Sequence, residues 1–348
     1  MLISQRKLVI ISTVLLPLSI FIALIFGTVS ISLGEVFSSI IRLGSESINS
    51  RSELVVQQIR LPRALLAALV GALLGICGAT TQGLFRNPLA DPSLIGVTAG
   101  ASAGAALAIF FAVSITGLSG LSGLTLVSFG AFIGGTLAVL LVYSLATKSR
   151  GSVNSGTSVA TMLLAGIAIT AIASSLTSLL EFFSNDEMLR RITLWRMGGL
   201  DGANYTRVLI ASVCATLILI VLPRFSTALN ALLLGESEAR HLGLSVQKIK
   251  VSLILLVAAG VGVSVALAGT IAFIGLIVPH IIRLLIGPDH RLLLPLSASG
   301  GAILLLLSDT VARTIFAPIE LPVGLITALL GAPFFISLLT RRHDYGMR

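Results

Sequence analysis

The side chains that could carry covalent or metal chemistry in this chain are few and scattered. Four histidines, His241, His280, His290 and His343, are dispersed along it, and neither an HExxH nor a GxSxG pattern occurs. Cys77 and Cys214 fall inside apolar runs, with no CxxC pair and no disulfide framework, and read as packing residues. There is no Gly-Lys pair and hence no phosphate loop. These residues build no nucleophile with its base, no nucleotide site and no metal cluster, so the expectation is a chain that is not an enzyme and holds no metal or cofactor.

The acids point the same way. Of 14 Asp and Glu residues, only Glu181 and Asp309 lie inside or at the ends of apolar runs. Carriers driven by protons or sodium keep ionisable groups at mid-membrane. An ion-coupled secondary carrier is therefore the remote alternative, and the energy for any transport is expected from another subunit.

Three groupings could recognise something. Arg60 and Arg63 stand three apart beside Pro62, which suits a first helical turn, and share one face. They could meet carboxylates of a partner or snorkel to an interface. The run Gly235-Glu-Ser-Glu-Ala-Arg-His-Leu-Gly243 has acids at the start of a short helix, bases at its end and a glycine at either limit. That predicts a capped, rigid surface helix, within a segment of about 226–245, fit for a partner or simply for the membrane interface. Phe182, Phe183, Met188, Trp195 and Met197 stand beside Arg190, Arg191 and Arg196, a mixture that suits a flat apolar ligand bearing carboxylates, or an amphipathic helix at headgroup level. Pro279 inside an apolar run predicts a kink or break, with the neighbouring His280 packed and hydrogen-bonded.

The elements that must position these residues are membrane helices. Fifty-five per cent of the 348 residues are hydrophobic and only 11% charged, far from the balance of a soluble globule. Apolar runs near residues 8–29, 61–83, 93–113, 121–146, 158–182, 205–223, 249–268, 272–287, 294–315 and 322–340 predict ten spans. The first follows Arg6 and Lys7 and outlasts a signal-peptide core, so it is expected to be a retained helix. With the N- and C-termini both cytoplasmic, the four lysines (Lys7, Lys148, Lys248, Lys250) and the closing Arg341, Arg342 and Arg348 all fall inside. The net charge of +9 then reflects topology, not nucleic acid. Glycines at four-residue spacing (Gly71 and Gly75; Gly96, Gly100 and Gly104; Gly130 and Gly134) predict close helix approaches. No polar linker or repeat divides the chain, so one transmembrane permease domain over 1–348 is expected.

Six stretches in order resemble a known family: Arg60-Leu-Pro-Arg63, Phe85-Arg-Asn-Pro-Leu-Ala-Asp-Pro92, the Gly235–Gly243 run, Phe273-Ile-Gly-Leu-Ile-Val-Pro-His280, Glu320-Leu-Pro-Val-Gly324 and Leu330-Gly-Ala-Pro333. They are similar to those of the FecCD permeases, the membrane subunits of bacterial ABC importers for heme, ferric siderophores and cobalamin. The resemblance implies an all-α, ten-helix protein of the inner (cytoplasmic) membrane, paired with a second permease copy as a homodimer. It also implies two cytoplasmic ATPase subunits that bind the ATP and Mg, and a periplasmic binding protein. Gly235, Glu236, Ser237, Glu238, Ala239, Arg240, His241, Leu242 and Gly243 match the family's ATPase-coupling region. Arg60, Arg63 and Arg313 match its binding-protein docking arginines. The stretches Met162–Ile169 and Asn185–Trp195 resemble those of heme importers, so heme is the expected cargo, moved by alternating access in a type II importer. Ferric siderophore or cobalamin is the alternative.

Overall fold

The structure, a computed structural model, describes residues 5–43, 50–111, 121–148 and 159–344. Among these residues it is helical and without strands. α1 (Gln5–Ile25) leads to the short α2 (Leu33–Ile41), whose Ser32 and Glu35 form a reciprocal capping box. Glu35 also accepts from Ser52 Oγ at 2.6 Å. That bond, then those from Ser32, hold its carboxyl down to about 2. The tie between α2 and the following segment therefore persists as pH falls below the ordinary carboxylate range and loosens only near pH 2.

α3 (Arg51–Leu54) continues through a π-helical turn, Val55–Arg60, into α4 (Leu61–Leu84). The sequence predicts a start at 61 because of Pro62. A proline ring clashes with the carbonyl four residues back in an α-helix, and the wider π turn lets helical chain run straight into it.

α5 (Val97–Phe111), α6 (Leu121–Lys148), α7 (Val159–Phe183) and the amphipathic α8 (Asp186–Arg196) follow, then α9 (Tyr205–Val221), α10 (Ser226–Leu234) and α11 (Glu236–His241). α12 (Val246–Ala268), α13 (Ile274–Ile286), α14 (His290–Thr314) and α15 (Val323–Asp344) complete the chain. Among the described residues, seven helices are long and apolar enough to cross a membrane, and three shorter apolar ones, Val97–Phe111, Ile274–Ile286 and Val323–Ser337, match the remaining expected segments. The tails of two expected segments, 112–113 and residue 158, lie outside the described residues, as does Arg348.

α4 is the buried centre, packed by α9, α12, α13 and, most extensively, α14. Small residues make this possible. A Cβ at Gly71 or Gly75 would fall on the carbonyl of Gly301 or Ser297 in α14, and one at Gly104 on that of Gly130 in α6. Backbones thus touch directly where lipid supplies no hydrophobic drive. Gly96 belongs to another device, ending the 3-10 turn Pro92–Ile95 at φ +78°.

The expected break near Pro279 lies earlier, in the non-helical stretch between α12 and α13, where Phe273 takes φ +69°. α13 then runs through Pro279, and Gln82 Nε2 from α4 sits 3.4 Å from Gly275 O, the carbonyl that Pro279 leaves free, and 3.2 Å from Leu276 O. The His280 ring packs edge-on against Phe334, centroids 6.0 Å apart.

Candidate functional site: two bundle ends and the cavity between them

At the end that carries α2, three arginines converge. Arg60, closing the π turn, is 3% exposed and donates to Leu24 O and Ile25 O, both at 2.7 Å, and to Val29 O. It caps the last carbonyls of α1, which have no partner within their own helix. Arg63, one turn into α4 and 7% exposed, pairs with Asp309 of α14 at 2.9 Å and with Glu320, beyond α14, at 2.6 Å. Arg313, 4% exposed, pairs with the same Asp309 at 3.0 Å and donates to Ala23 O at 3.1 Å. Three guanidiniums face two carboxylates, and the C-terminal carbonyls of α1, the negative end of a helix dipole, take up the excess.

The sequence reading has Arg60 and Arg63 meeting a partner's carboxylates or snorkelling to an interface, with docking by all three arginines implied by resemblance. Each is turned inward and bonded within the chain, because a buried guanidinium has lost its hydration and must be paired. Asp309 and Glu320 are the functional candidates that sequence reasoning missed. Asp309 had a signal, being one of two acids in apolar runs and four residues before Arg313 on one helix face. Glu320 had none beyond its place in a motif. Its side chain is 35% exposed, the member of the Arg63–Asp309–Arg313–Glu320 group most open to solvent.

At the opposite end the arrangement is reversed. α10 and α11 meet through Gly235 at φ +120°, a value only glycine adopts readily, and Gly243 at φ +82° closes α11. Ala231, Leu232, Ala239 and Val246 form a small core of their own beneath the pair. Buried Lys250 of α12 is ion-paired to Glu236. Ser237, Glu238, Arg240, His241, Leu242 and Gly243 are all exposed, so α11 offers a mixed polar face with Leu242 at its edge.

The third grouping separates. Phe182 and Phe183 close α7 as an edge-to-face pair, 81% and 65% exposed. Asn185 caps α8 by accepting from Met188 N at 2.9 Å. Met188 points into the core, and Trp195 packs against it half-buried, with Met197 also half-buried. Met188 is therefore not on an entrance surface. Arg191 pairs with Glu187 and Arg196 with Glu181, both at 2.7 Å, while Arg190 is exposed.

Inward of Arg196 lies a feature that sequence reasoning missed, a cavity of about 620 Å³ between α5 and α7. Ser93, Thr98, Ser102, Thr170, Ser174, Thr177 and Ser178 line it among aliphatic residues. Two of these hydroxyls, Thr177 Oγ1 on Ala173 O at 2.9 Å and Ser102 Oγ on Thr98 O at 3.0 Å, are bonded to their own helix. Such a wall is wettable without gripping. Among the described residues no group of three or more His, Cys, Asp or Glu could hold a metal ion.

Comparison with known proteins agrees with this architecture. The model of the FecCD transport family matches residues 15–341. The hemin transport system permease protein HmuU of Yersinia pestis is 43% identical over 317 residues, 90% of this chain and 92% of that one. The cobalamin import system permease protein BtuC of Halobacterium salinarum is 43% identical over 293 residues, 84% of this chain and 75% of that one. A solved ABC transporter assigned to the metal-chelate type, in an inward-facing conformation, aligns with a TM-score of 0.83 at 34% identity, covering 97% of this chain and 99% of that one.

Proposed function

The chain belongs to the FecCD transport family, and on that premise we propose that it passes hemin from a periplasmic binding protein to the cytoplasm, along a pathway shared with a second, identical copy. It is a multi-pass membrane permease subunit of an ABC importer, a transport component whose ATP hydrolysis belongs to partner subunits. The hemin reading is carried by the similarity to a hemin permease across nine-tenths of both chains. The α7–α8 region supports it chemically. Phe182 and Phe183 offer apolar faces to a flat ring, Arg190 is an exposed cation suited to its carboxylates, and the hydroxyl-lined cavity lies below. The similarity to a cobalamin permease favours a second reading, cobalamin in the same machine.

In this mechanism α11 lies on the cytoplasmic side and seats on an ATPase subunit through Glu238, Arg240 and Leu242, which its capped, exposed geometry supports. The α2 end receives the binding protein. Because Arg63 is held by Glu320, docking is an exchange in which acidic groups of the binding protein take over a guanidinium that Glu320 holds at rest. Nucleotide-driven movement at α11 then opens the pathway on one side and closes it on the other. The chain itself changes no covalent bond.

ATP-driven uptake into proteoliposomes holding the assembled importer, compared for hemin, cobalamin and a ferric siderophore, tests the cargo. Uptake of hemin above the other two is expected. Preferential uptake of cobalamin or of the siderophore would replace hemin, and ATP-independent uptake would overturn the coupling reading.

A further inference from the structure

One polar junction between the α11 end and the rest of the bundle has no part in the groupings above. Asn230, on the face of α10 turned to α14, spans the first residues of α14. Its Oδ1 accepts from the backbone N of His290 at 2.9 Å and meets the His290 ring Nδ1 at 2.8 Å, while its Nδ2 donates to Asp289 Oδ1 at 2.6 Å. The amide orientation follows from its neighbours, since a carboxylate only accepts. The ring proton of His290 is then on Nδ1. Asp289 Oδ1 is in turn the N-cap of α14, accepting from Arg291 N at 3.0 Å.

The other side of the His290 ring is equally constrained. Its Nε2 is buried without a hydrogen-bond partner and lies against Gly83 of α4, where a Cβ would overlap it. The ring is thus a fully buried wedge between α10, α14 and α4. From that point α4 and α14 run as one body, their backbones touching at Gly71, Gly75, Ser297 and Gly301, up to the Arg63–Asp309 pair at the far end. Directional hydrogen bonds between two rigid elements carry a displacement, whereas an apolar contact lets them slide.

We propose that Asn230 is the positioning residue through which movement of α10 and α11 reaches the α4–α14 body, and so the cargo pathway. The inference rests on the reading that α11 seats on the ATPase subunit. Asn230 touches neither cargo nor nucleotide; it acts through Asp289 and His290.

The test uses the assembled importer in proteoliposomes and reads cargo transported per ATP hydrolysed. Asn230→Leu keeps the branched outline and removes all three bonds. It should leave ATPase subunits bound and the KM for ATP unchanged while the ratio falls roughly tenfold. Asn230→Asp, the same size and shape, should also lower the ratio, because a carboxylate then faces the Asp289 carboxylate where an amide had donated. This isosteric change decides the matter even if Asn230→Leu fails to accumulate. An unchanged ratio in Asn230→Leu or in Asn230→Asp with the complex intact would overturn the proposal. Loss of hydrolysis and transport in equal proportion would also overturn it, as a merely structural contribution predicts. Failure of the parent importer to hydrolyse ATP or retain its ATPase subunit would remove the α11 reading itself, and this inference with it.

Discussion

The two ends of the bundle handle charge in opposite ways. At the α2 end, Arg60, Arg63 and Arg313 are buried and already bonded, so anything that binds there must displace a partner. At the α11 end, Glu238, Arg240 and His241 are exposed on a helix whose shape is set by two glycines and a small core beneath. A site that works by exchange is selective and conformationally responsive, because leaving a buried guanidinium unpaired is costly. A pre-formed site binds as a rigid body and transmits force without first rearranging. On the proposed function, the two kinds of end would serve different partners, the binding protein at the first and the ATPase subunit at the second.

Breaking the closed end should have the largest effect. Asp309 neutralises two buried guanidiniums, Arg63 at 2.9 Å and Arg313 at 3.0 Å. Asp309→Asn should cost about 3–5 kcal/mol, the range for an uncompensated buried charge, visible as a large fall in the thermal unfolding midpoint in detergent. A midpoint unchanged within error would show that the network is not what fastens α4 to α14. Reversal of Arg60 and Arg63 to glutamate, an obvious docking test from sequence, is expected to unfold this end and so cannot isolate docking.

Two glycines extend the contrast at a smaller scale. Gly75→Ala would drive a methyl into the Ser297 carbonyl of α14, with a cost of roughly 1–3 kcal/mol or more because backbone cannot step aside. Gly243→Ala meets nothing within 4 Å and is opposed only by its φ of +82°, a strain of about 1 kcal/mol. Equal effects on the unfolding midpoint would mean that the α4–α14 contact is looser than its geometry indicates.

The difference between the ends also decides what could be read in the sequence. All ten apolar segments became helices, because length and hydropathy are local properties. The α11 cap was legible for the same reason, its glycines, acids and bases all lying within nine residues. The arginines were legible as residues of interest but not as buried ones. The two carboxylates that hold Arg63 lie 246 and 257 positions away, and Arg313 reaches a carbonyl 290 positions away, proximities that only the packed fold creates. The π turn was hidden by Pro62, which normally announces a start. The cavity between α5 and α7 and the Asn230 junction are likewise products of tertiary packing, built from serines, threonines and an asparagine that carry no local pattern.

Glu320 sharpens the comparison further, since it belongs to the closed end yet is partly open to water. Glu320→Gln should cost under about 1 kcal/mol, as screening weakens a partly exposed pair. It should nevertheless strengthen capture of the binding protein severalfold in a surface-binding assay at low salt, because Arg63 is released from its internal competitor. Weaker capture would mean that Glu320 supports the docking surface rather than competing with it.

The smallest effect on stability is expected at the open end, together with a large effect on function. Glu238 and Arg240 point to solvent, and the core under α11 is made by Ala239 and its neighbours. Replacing either with its opposite charge, Glu238→Arg or Arg240→Glu, should change the unfolding midpoint by no more than about 0.5 kcal/mol equivalent. The same changes should weaken retention of the ATPase subunit, or lower transport per ATP, severalfold. Because fold and function move independently here, the result is diagnostic. Stable protein with normal assembly and transport would remove these side chains from the interface, whereas a destabilised protein would show that α11 is fastened by its charged face and not by its core.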